Sequence, residues 1–172
     1  MGKITFILGG SRSGKSNYAQ VLAKKYKRVA FIATCQPLDK EMRQRIKMHS
    51  ELRPKHWQTF EEYRDIALTL RKISFGFDCI IIDCLTLFVS NLMSAKKNQK
   101  SIEEKIKRIL LLLKTMKASA ILISNEVGLG IVPENKLARD FRDIAGKVNQ
   151  IVAKEAKRVI FMASGIPMKI KG

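Results

Sequence analysis

The sequence is poor in cysteine and in acidic residues, and it has no long apolar run. Three cysteines among 172 residues, none in C-x-x-C spacing, argue against a disulfide framework and against a zinc site. No apolar run approaches the roughly 20 residues that a membrane-spanning helix needs. Because no signal peptide precedes the first predicted strand, we expect a cytoplasmic protein.

The shortage of acidic residues leaves a large positive charge. Fifteen aspartates and glutamates face 33 lysines and arginines, which gives a formal net charge of +18. This excess indicates an anionic partner: nucleotides, nucleic acid or an acidic membrane surface. The lysines are scattered over predicted helix faces, without the interleaved aromatic rings that stack on bases. We therefore expect no nucleic-acid partner, and a solubilising surface is the simplest explanation of the charge. A basic, nucleotide-regulated nucleic-acid-binding protein stays as an alternative.

The most informative stretch is a glycine-rich loop at residues 9–16, which fits G-x-x-x-x-G-K-[ST] without a mismatch. Residues 3–8 predict a buried strand before it, and residues 17–23 predict a helix after it. In that context the backbone N–H groups and the helix N-terminus face a phosphate chain. Lys15 would reach the β- and γ-phosphates, and the Ser16 hydroxyl would ligate Mg²⁺. The predicted nucleotide-binding loop consists of Gly9, Gly10, Ser11, Arg12, Ser13, Gly14, Lys15 and Ser16.

Strand patterns alternate with helix patterns along the chain. Further strands are predicted at residues 29–33, 79–83, 120–124 and 158–163, the last of which completes the chain. Helices are predicted after an Asp39 cap, over 60–72 with Thr59 as N-cap, over 85–93, after a capping box that begins at Ser101, and over 136–156. This alternation predicts a single P-loop NTPase-like α/β domain over residues 1–172. We expect a mostly parallel, doubly wound sheet with helices on both faces and the nucleotide at the carboxyl ends of its strands.

Candidate catalytic residues follow those strand ends. Asp83 ends an apolar strand as a Walker B carboxylate does and could hold Mg²⁺, although a helix-capping Asp is the alternative. Thr34 and Gln36 follow the second strand and could bond a nucleotide. His49 ends an amphipathic helix, where a neutral imidazole could attack phosphorus. On spacing alone a core histidine is the more frequent outcome, and position does not choose between His49 and His56.

Several motifs together point to a family. They are the loop at residues 9–16, His49 followed by Arg53 and Pro54, and the stretches 125–135, 138–146, 149–150 and 164–169. Over nearly its whole length the chain resembles the bifunctional adenosylcobinamide kinase / adenosylcobinamide-phosphate guanylyltransferase of cobalamin biosynthesis. This pattern is far more specific than a phosphate-binding loop alone.

The resemblance implies two reactions. A nucleoside triphosphate phosphorylates the aminopropanol hydroxyl of adenosylcobinamide, and GTP then donates GMP to that phosphate, giving adenosyl-GDP-cobinamide and pyrophosphate. The second reaction would run through a GMP–histidine intermediate at His49 rather than at His56. The resemblance also implies GTP and ATP as substrates, Mg²⁺ as cofactor, and a homotrimer. A P-loop kinase without guanylyltransferase activity, in which His49 is structural, stays as an alternative.

The same resemblance extends the site beyond the loop. Lys15 and His49 would be catalytic, and Ser16 and Asp83 would bind the metal. Arg53 could stabilise charge on the α-phosphate oxygens. The i, i+4 spacing of Arg45 and His49 suggests the same role for Arg45, with a solvated or salt-bridged helix residue as the alternative. The further nucleotide-binding residues that it implies are Thr34, Cys35, Gln36, Ser50, Glu51, Leu52, Arg53, Glu61 and Asp83.

Overall fold

The computed structural model describes residues 2–73 and 75–172, with the side chain of Arg45 left out. Strands and helices alternate along most of the chain, as predicted. In order they are β1 (Ile4–Gly9), α1 (Lys15–Ala23), β2 (Val29–Ala33), α2 (Lys40–Glu51), β3 (Gln58–Glu61), α3 (Ile66–Lys72), β4 (Cys79–Asp83), α4 (Leu85–Ser94), α5 (Gln99–Thr115), β5 (Ser119–Asn125), α6 (Lys136–Glu155), β6 (Arg158–Ala163) and β7 (Ile166–Lys171).

All seven strands lie in one sheet, in the order β3-β2-β4-β5-β1-β6-β7. Strands β1 to β6 are parallel, and β7 runs antiparallel to β6. Ala33 of β2 lies opposite Glu61 on one side and opposite Asp83 on the other, so these two carboxylates share a row and a face of the sheet. The sheet thereby brings both acids to the edge where the glycine loop begins.

Helices cover both faces of the sheet, which confirms the doubly wound architecture. One core cluster joins the sheet to α3, α4, α5 and α6, and the other joins it to α1 and Trp57. The predicted apolar stripe of α5 is buried in the first cluster; it consists of Ile102, Ile106, Ile109, Leu110 and Leu113. The strands between the two clusters are buried on both faces, which explains their continuous apolar runs.

The predicted helix over residues 60–72 is wrong at its start. Residues Gln58–Glu61 form β3, and only Ile66–Lys72 is helical. The helix is capped by Asp65, whose side chain accepts a hydrogen bond from the backbone N–H of Leu68, and not by Thr59. Backbone pairing of Thr59 and Phe60 with β2 therefore overrides the local helical pattern.

Two other boundaries differ from the sequence prediction. Helix α5 begins at Gln99 with Asn98 as its N-cap, one turn before the predicted capping box at Ser101. The chain does not end at β6, because Ile166–Lys171 adds the antiparallel edge strand β7. In β7 apolar residues alternate with proline and lysine, a period-two pattern that predicts such a strand.

Candidate active site

The glycine loop at residues 9–16 closes around its own lysine. Lys15 is 7% exposed, and its Nζ donates to the carbonyl oxygens of Gly9, at 2.9 Å, and of Gly10. Gly9 has φ +154°, and a Cβ there would lie 2.4 Å from the Met162 carbonyl oxygen, so the loop requires glycine at this position. The ammonium group is thus held inside the loop, where nucleotide phosphates would compete with carbonyl oxygens for it.

Ser16 and Asp83 form a pair of oxygen ligands beside that lysine. The Ser16 hydroxyl donates to Asp83 Oδ2 at 2.9 Å. Mg²⁺ is commonly held by one or two protein oxygens together with substrate phosphates and water. No group of three or more His, Cys, Asp and Glu suited to a metal lies within residues 2–73 and 75–172. The pair therefore fits Mg²⁺ that arrives with a nucleotide rather than a closed all-protein metal site.

Positive groups from three segments surround Asp83. Burial raises the pKa of the Asp83 carboxyl, while the Ser16 hydrogen bond and the charges of His49, Arg53 and Lys15 lower it. These residues come from the loop, from α2 and from the segment after α2, and their charges act on Asp83 at the end of β4. The structure thus brings the two predicted catalytic residues and the two predicted metal ligands into one site.

Arg53 is fixed against the sheet just beyond α2. Its guanidinium lies 3.8 Å from the ring centroid of Phe31, and its Nη1 donates to Thr59 Oγ1 at 3.5 Å. Burial lowers the pKa of Arg53, and the charges of Asp83 and Glu61 raise it. A guanidinium that already stacks on a ring and faces two carboxylates is ordered before any phosphate binds, which reduces the entropy cost of holding an anion.

Helix α2 brings His49 close enough to Asp83 for the charges of the two side chains to interact. Asp39 caps the helix as predicted, because its side chain accepts a hydrogen bond from the Met42 N–H at 2.7 Å. None of the described side chains of α2 is buried, and His49 itself is half-buried in the last turn. His56 is exposed and lies beyond the helix. The prediction for Arg45 lies outside the described side chains.

An open cleft of about 480 Å³ adjoins Glu61; its lining is Gln36, Pro37, Leu38, Glu62, Tyr63 and Arg64. Tyr63 donates from its hydroxyl to Glu61 Oε2 at 2.6 Å. Burial and this carboxylate raise the pKa of Tyr63 to about 12, so the phenol stays a donor at neutral pH. Gln36, one of the nucleotide-binding residues predicted after β2, lines this cleft, where a ligand can lie.

The contacts of the other predicted nucleotide-binding residues do not by themselves indicate a ligand. The Thr34 hydroxyl is buried between the Cys84 backbone groups, donating to the carbonyl oxygen and accepting from the N–H. Cys35 is half-buried with its Sγ 3.8 Å from Met42 Sδ. The Ser50 hydroxyl donates to the Lys47 carbonyl oxygen, while Glu51 and Leu52 are exposed. A nucleotide role for these five residues stays a prediction.

Two polar side chains organise this edge: Asn91, which the sequence did not single out, and Arg142, which lies in the family stretch 138–146 but was given no role. Asn91 of α4 donates from Nδ2 to the carbonyl oxygens of Thr34, at 2.8 Å, and of Tyr63, at 3.3 Å. Arg142 of α6 donates to the Gly128 carbonyl oxygen at 2.8 Å. They tie α4 and α6 to the loops around the site. An isolated Asn or Arg inside a helix carries no local signal for such contacts.

Comparison with known proteins places this arrangement in a family. The family model described as "Cobinamide kinase / cobinamide phosphate guanyltransferase" matches residues 5–170. The chain belongs to this family. A bifunctional adenosylcobalamin biosynthesis protein CobU of Salmonella typhimurium is 40% identical and is covered over 98% of its length by 96% of this chain. The CobP protein of Pseudomonas aeruginosa is 42% identical, with 96% of each chain covered.

Solved structures of distant proteins share the fold. A KaiC-like protein of Pyrococcus horikoshii aligns with a TM-score of 0.54 at 15% identity, over 92% of this chain and 70% of that one. An ATPase of a bacterial type III secretion system aligns with a TM-score of 0.60 at 12% identity, over 95% of this chain and 51% of that one. At these identities the likeness shows the P-loop fold alone. The family membership rests on the closer relatives.

Proposed function

We propose that this chain phosphorylates adenosylcobinamide with a nucleoside triphosphate and then transfers GMP from GTP to the resulting phosphate. Its relatives are named as bifunctional proteins of adenosylcobalamin biosynthesis, and the family is named for both reactions. The observation that carries the proposal is the grouping of His49, Lys15 and Arg53 around the Ser16–Asp83 pair. A phosphate-binding loop alone would support only the kinase.

In the kinase step, the backbone N–H groups of the loop and Lys15 bind the β- and γ-phosphates. The substrate hydroxyl attacks the γ-phosphorus and loses its proton to solvent, the bond between that phosphorus and the bridging oxygen breaks, and the nucleoside diphosphate leaves with the electron pair. Ser16 and Asp83 would hold Mg²⁺, which supplies further neutralisation of phosphate charge when it is bound. Lys15 is already directed into the loop by its carbonyl contacts, so little side-chain reorganisation is needed.

In the transfer step, a neutral His49 nitrogen attacks the α-phosphorus of GTP. The new P–N bond forms as the bond to the β-phosphate oxygen breaks, and pyrophosphate leaves. Arg53 then lies where it can stabilise charge on the α-phosphate oxygens. A phosphate oxygen of adenosylcobinamide phosphate next attacks the same phosphorus, breaks the P–N bond and restores the histidine.

We also infer a cytoplasmic homotrimer. Leu129, Ile131 and Val132 are 61% to 96% exposed on one loop, and nearby Leu137 is 67% exposed. Contiguous exposed apolar residues of this kind favour contact between subunits. None of the described helices combines the length and the apolar composition that crossing a bilayer requires. Light scattering coupled to gel filtration should give three times the 19.5 kDa chain mass, and a monomer would contradict this proposal.

The test of the two-reaction proposal separates the activities with matched histidine variants. His49→Ala should convert adenosylcobinamide to its phosphate at a rate within a few-fold of the unaltered protein, but should form no adenosyl-GDP-cobinamide. His56→Ala should retain both activities because its side chain lies outside the site. Products are separated by liquid chromatography with the corrin absorbance as detector. Loss of neither activity in His49→Ala, or loss of transfer in His56→Ala, would contradict the assignment.

A further inference from the structure

The connections at the two ends of the sheet carry opposite charge. The segments at the amino ends of β1, β2, β4, β5 and β6 are residues 2–3, 24–28, 75–78, 116–118 and 156–157, and the end of β7 at 171–172 lies beside them. Together they contain eight lysines and arginines and one acidic residue. The carboxyl-end connections, at residues 10–14, 34–39, 62–65 and 126–135, contain five acidic residues and two arginines. Of these two sets of connections, the positive one therefore lies at the end of the sheet opposite the candidate active site.

Backbone hydrogen bonds make these segments one continuous surface. Asp78 N–H donates to the Arg28 carbonyl oxygen, Ser119 N–H to that of Asp78, and Lys157 N–H to that of Ile4. The row runs from β2 to β7 through six neighbouring strands. At about 4.8 Å between strands, this basic edge is about 24 Å long. We use "basic edge" for the cations of this row: Lys3, Lys24, Lys25, Lys27, Arg28, Lys117, Lys157 and Lys171.

Little of this charge is neutralised within the chain. The single acid of the row, Asp78, pairs with Arg28 at 2.9 Å. Within the described part of the chain, the seven lysines of the basic edge form no ion pair, and all seven are exposed. Like charges this close together repel one another, which favours an anionic partner over solvent alone.

An exposed aromatic ring lies on the same edge. Phe75 is 91% exposed in the connection between α3 and β4, beyond the basic last turn of α3 formed by Arg71 and Lys72. A phenylalanine in water beside lysines gains free energy by entering an apolar layer behind an anionic surface. Neither the core nor the candidate active site uses this side chain.

We propose that the basic edge binds an anionic membrane surface, with Phe75 entering the lipid interface. Seven of its eight cations are lysines, which act as point charges toward a layer of lipid phosphates and lack the fork that arginine offers to a nucleic-acid backbone. Helices reach this edge with their ends rather than their sides, so none is presented for a DNA groove. The bound protein directs the carboxyl ends of its strands, and with them the candidate active site, away from the membrane.

The test measures co-sedimentation of the full chain with vesicles of phosphatidylcholine containing 30% phosphatidylglycerol, and with phosphatidylcholine alone. The edge variant carries Lys3→Gln, Lys117→Gln and Lys157→Gln. Its control carries Lys100→Gln, Lys107→Gln and Lys147→Gln, exposed lysines of α5 and α6 outside the basic edge, so both variants lose three charges. At about fivefold per lysine, binding of the edge variant to anionic vesicles should fall on the order of 100-fold, and binding of the control should fall much less.

Several results would overturn the proposal. They are equal losses in the two variants, no preference of the unaltered protein for anionic vesicles, binding that survives 0.5 M salt, or tighter edge-dependent binding to duplex DNA than to vesicles. The preference for anionic vesicles and the sensitivity to salt are measured on the unaltered protein alone, so the test does not depend on the folding of the variants. Phe75→Trp adds a depth probe, since Trp57 is buried and supplies a constant background. Its emission should shift to the blue on anionic vesicles, and an unchanged spectrum would contradict insertion.

Discussion

Replacing Asp83 by Asn should stabilise the ligand-free protein while weakening its binding of Mg²⁺ and nucleotide. Burial raises the pKa of the Asp83 carboxyl even though Ser16, His49, Arg53 and Lys15 oppose the shift. The free-energy cost of desolvating the carboxylate thus exceeds the stabilisation that its neighbours provide. A neutral amide of the same size removes that cost. Asn also keeps an oxygen that can accept the Ser16 hydrogen bond.

The size and pH dependence of the effect follow from this balance. We expect a gain of about 1 kcal/mol in the free energy of unfolding, or about 3 °C in a domain of this size. The pKa of Asp83 in the folded protein lies above the ordinary value of 3.8. Below pH 3.8 the carboxyl is therefore protonated in both the folded and the unfolded chain, and its burial costs no desolvation of charge. The advantage of Asp83→Asn should therefore grow as the pH rises from 4 through the folded pKa and then level off.

Differential scanning calorimetry without ligand, at pH 4 and pH 7, measures the first part of this prediction. A second series adds GTP and Mg²⁺, which should stabilise the unaltered protein by about 2.7 kcal/mol at 100 times the dissociation constant. The shift should be much smaller for Asp83→Asn. A lower melting temperature of the ligand-free variant at pH 7, or an equal shift with GTP and Mg²⁺, would contradict this prediction.

Two further predictions concern the loop and the thiols. Gly9→Ala should destabilise the fold by about 2 kcal/mol and weaken GTP binding, because its Cβ meets the sheet backbone. Gly10→Ala, which has open space at its Cβ, should leave the stability of the ligand-free protein unchanged; equal urea midpoints of the two variants would contradict this. In the native protein at pH 8 a thiol reagent should label Cys35 first. Burial raises the pKa of Cys79 to about 12 and of Cys84 to about 11, so those two should react only on unfolding, and three equal rates would argue against the packing.

The sequence predicted the parts of the fold that local patterns determine. The alternation of buried strands and amphipathic helices, the Asp39 cap and the apolar stripe of α5 all follow from residues near one another in the chain. Strand β3 did not, because its four residues become a strand only by pairing with β2. The start of α5 differed by one turn because Asn98 and Ser101 are both good caps and the chain uses the earlier one.

Local sequence patterns likewise predict one part of the candidate site but not the rest. The glycine loop is one contiguous motif, so spacing alone predicts its phosphate-binding geometry. The approach of His49 and Arg53 to Asp83 depends on where α2 and the segment after it lie relative to β4, and no local pattern encodes that placement. Only the resemblance to the family distinguished His49 from His56 beforehand. The buried Thr34 hydroxyl is another non-local case, because its bonds to Cys84 depend on the path of a neighbouring strand.

The most direct test of the account is covalent labelling with α-³²P-GTP and Mg²⁺, followed by denaturing electrophoresis and mapping of the labelled peptide. We predict an acid-labile, alkali-stable label on the peptide that contains His49, no label from α-³²P-ATP, and no label in His49→Ala. Label that persists in His49→Ala, or no label under conditions in which GTP binding is measured independently, would contradict the role of His49 as the nucleophile.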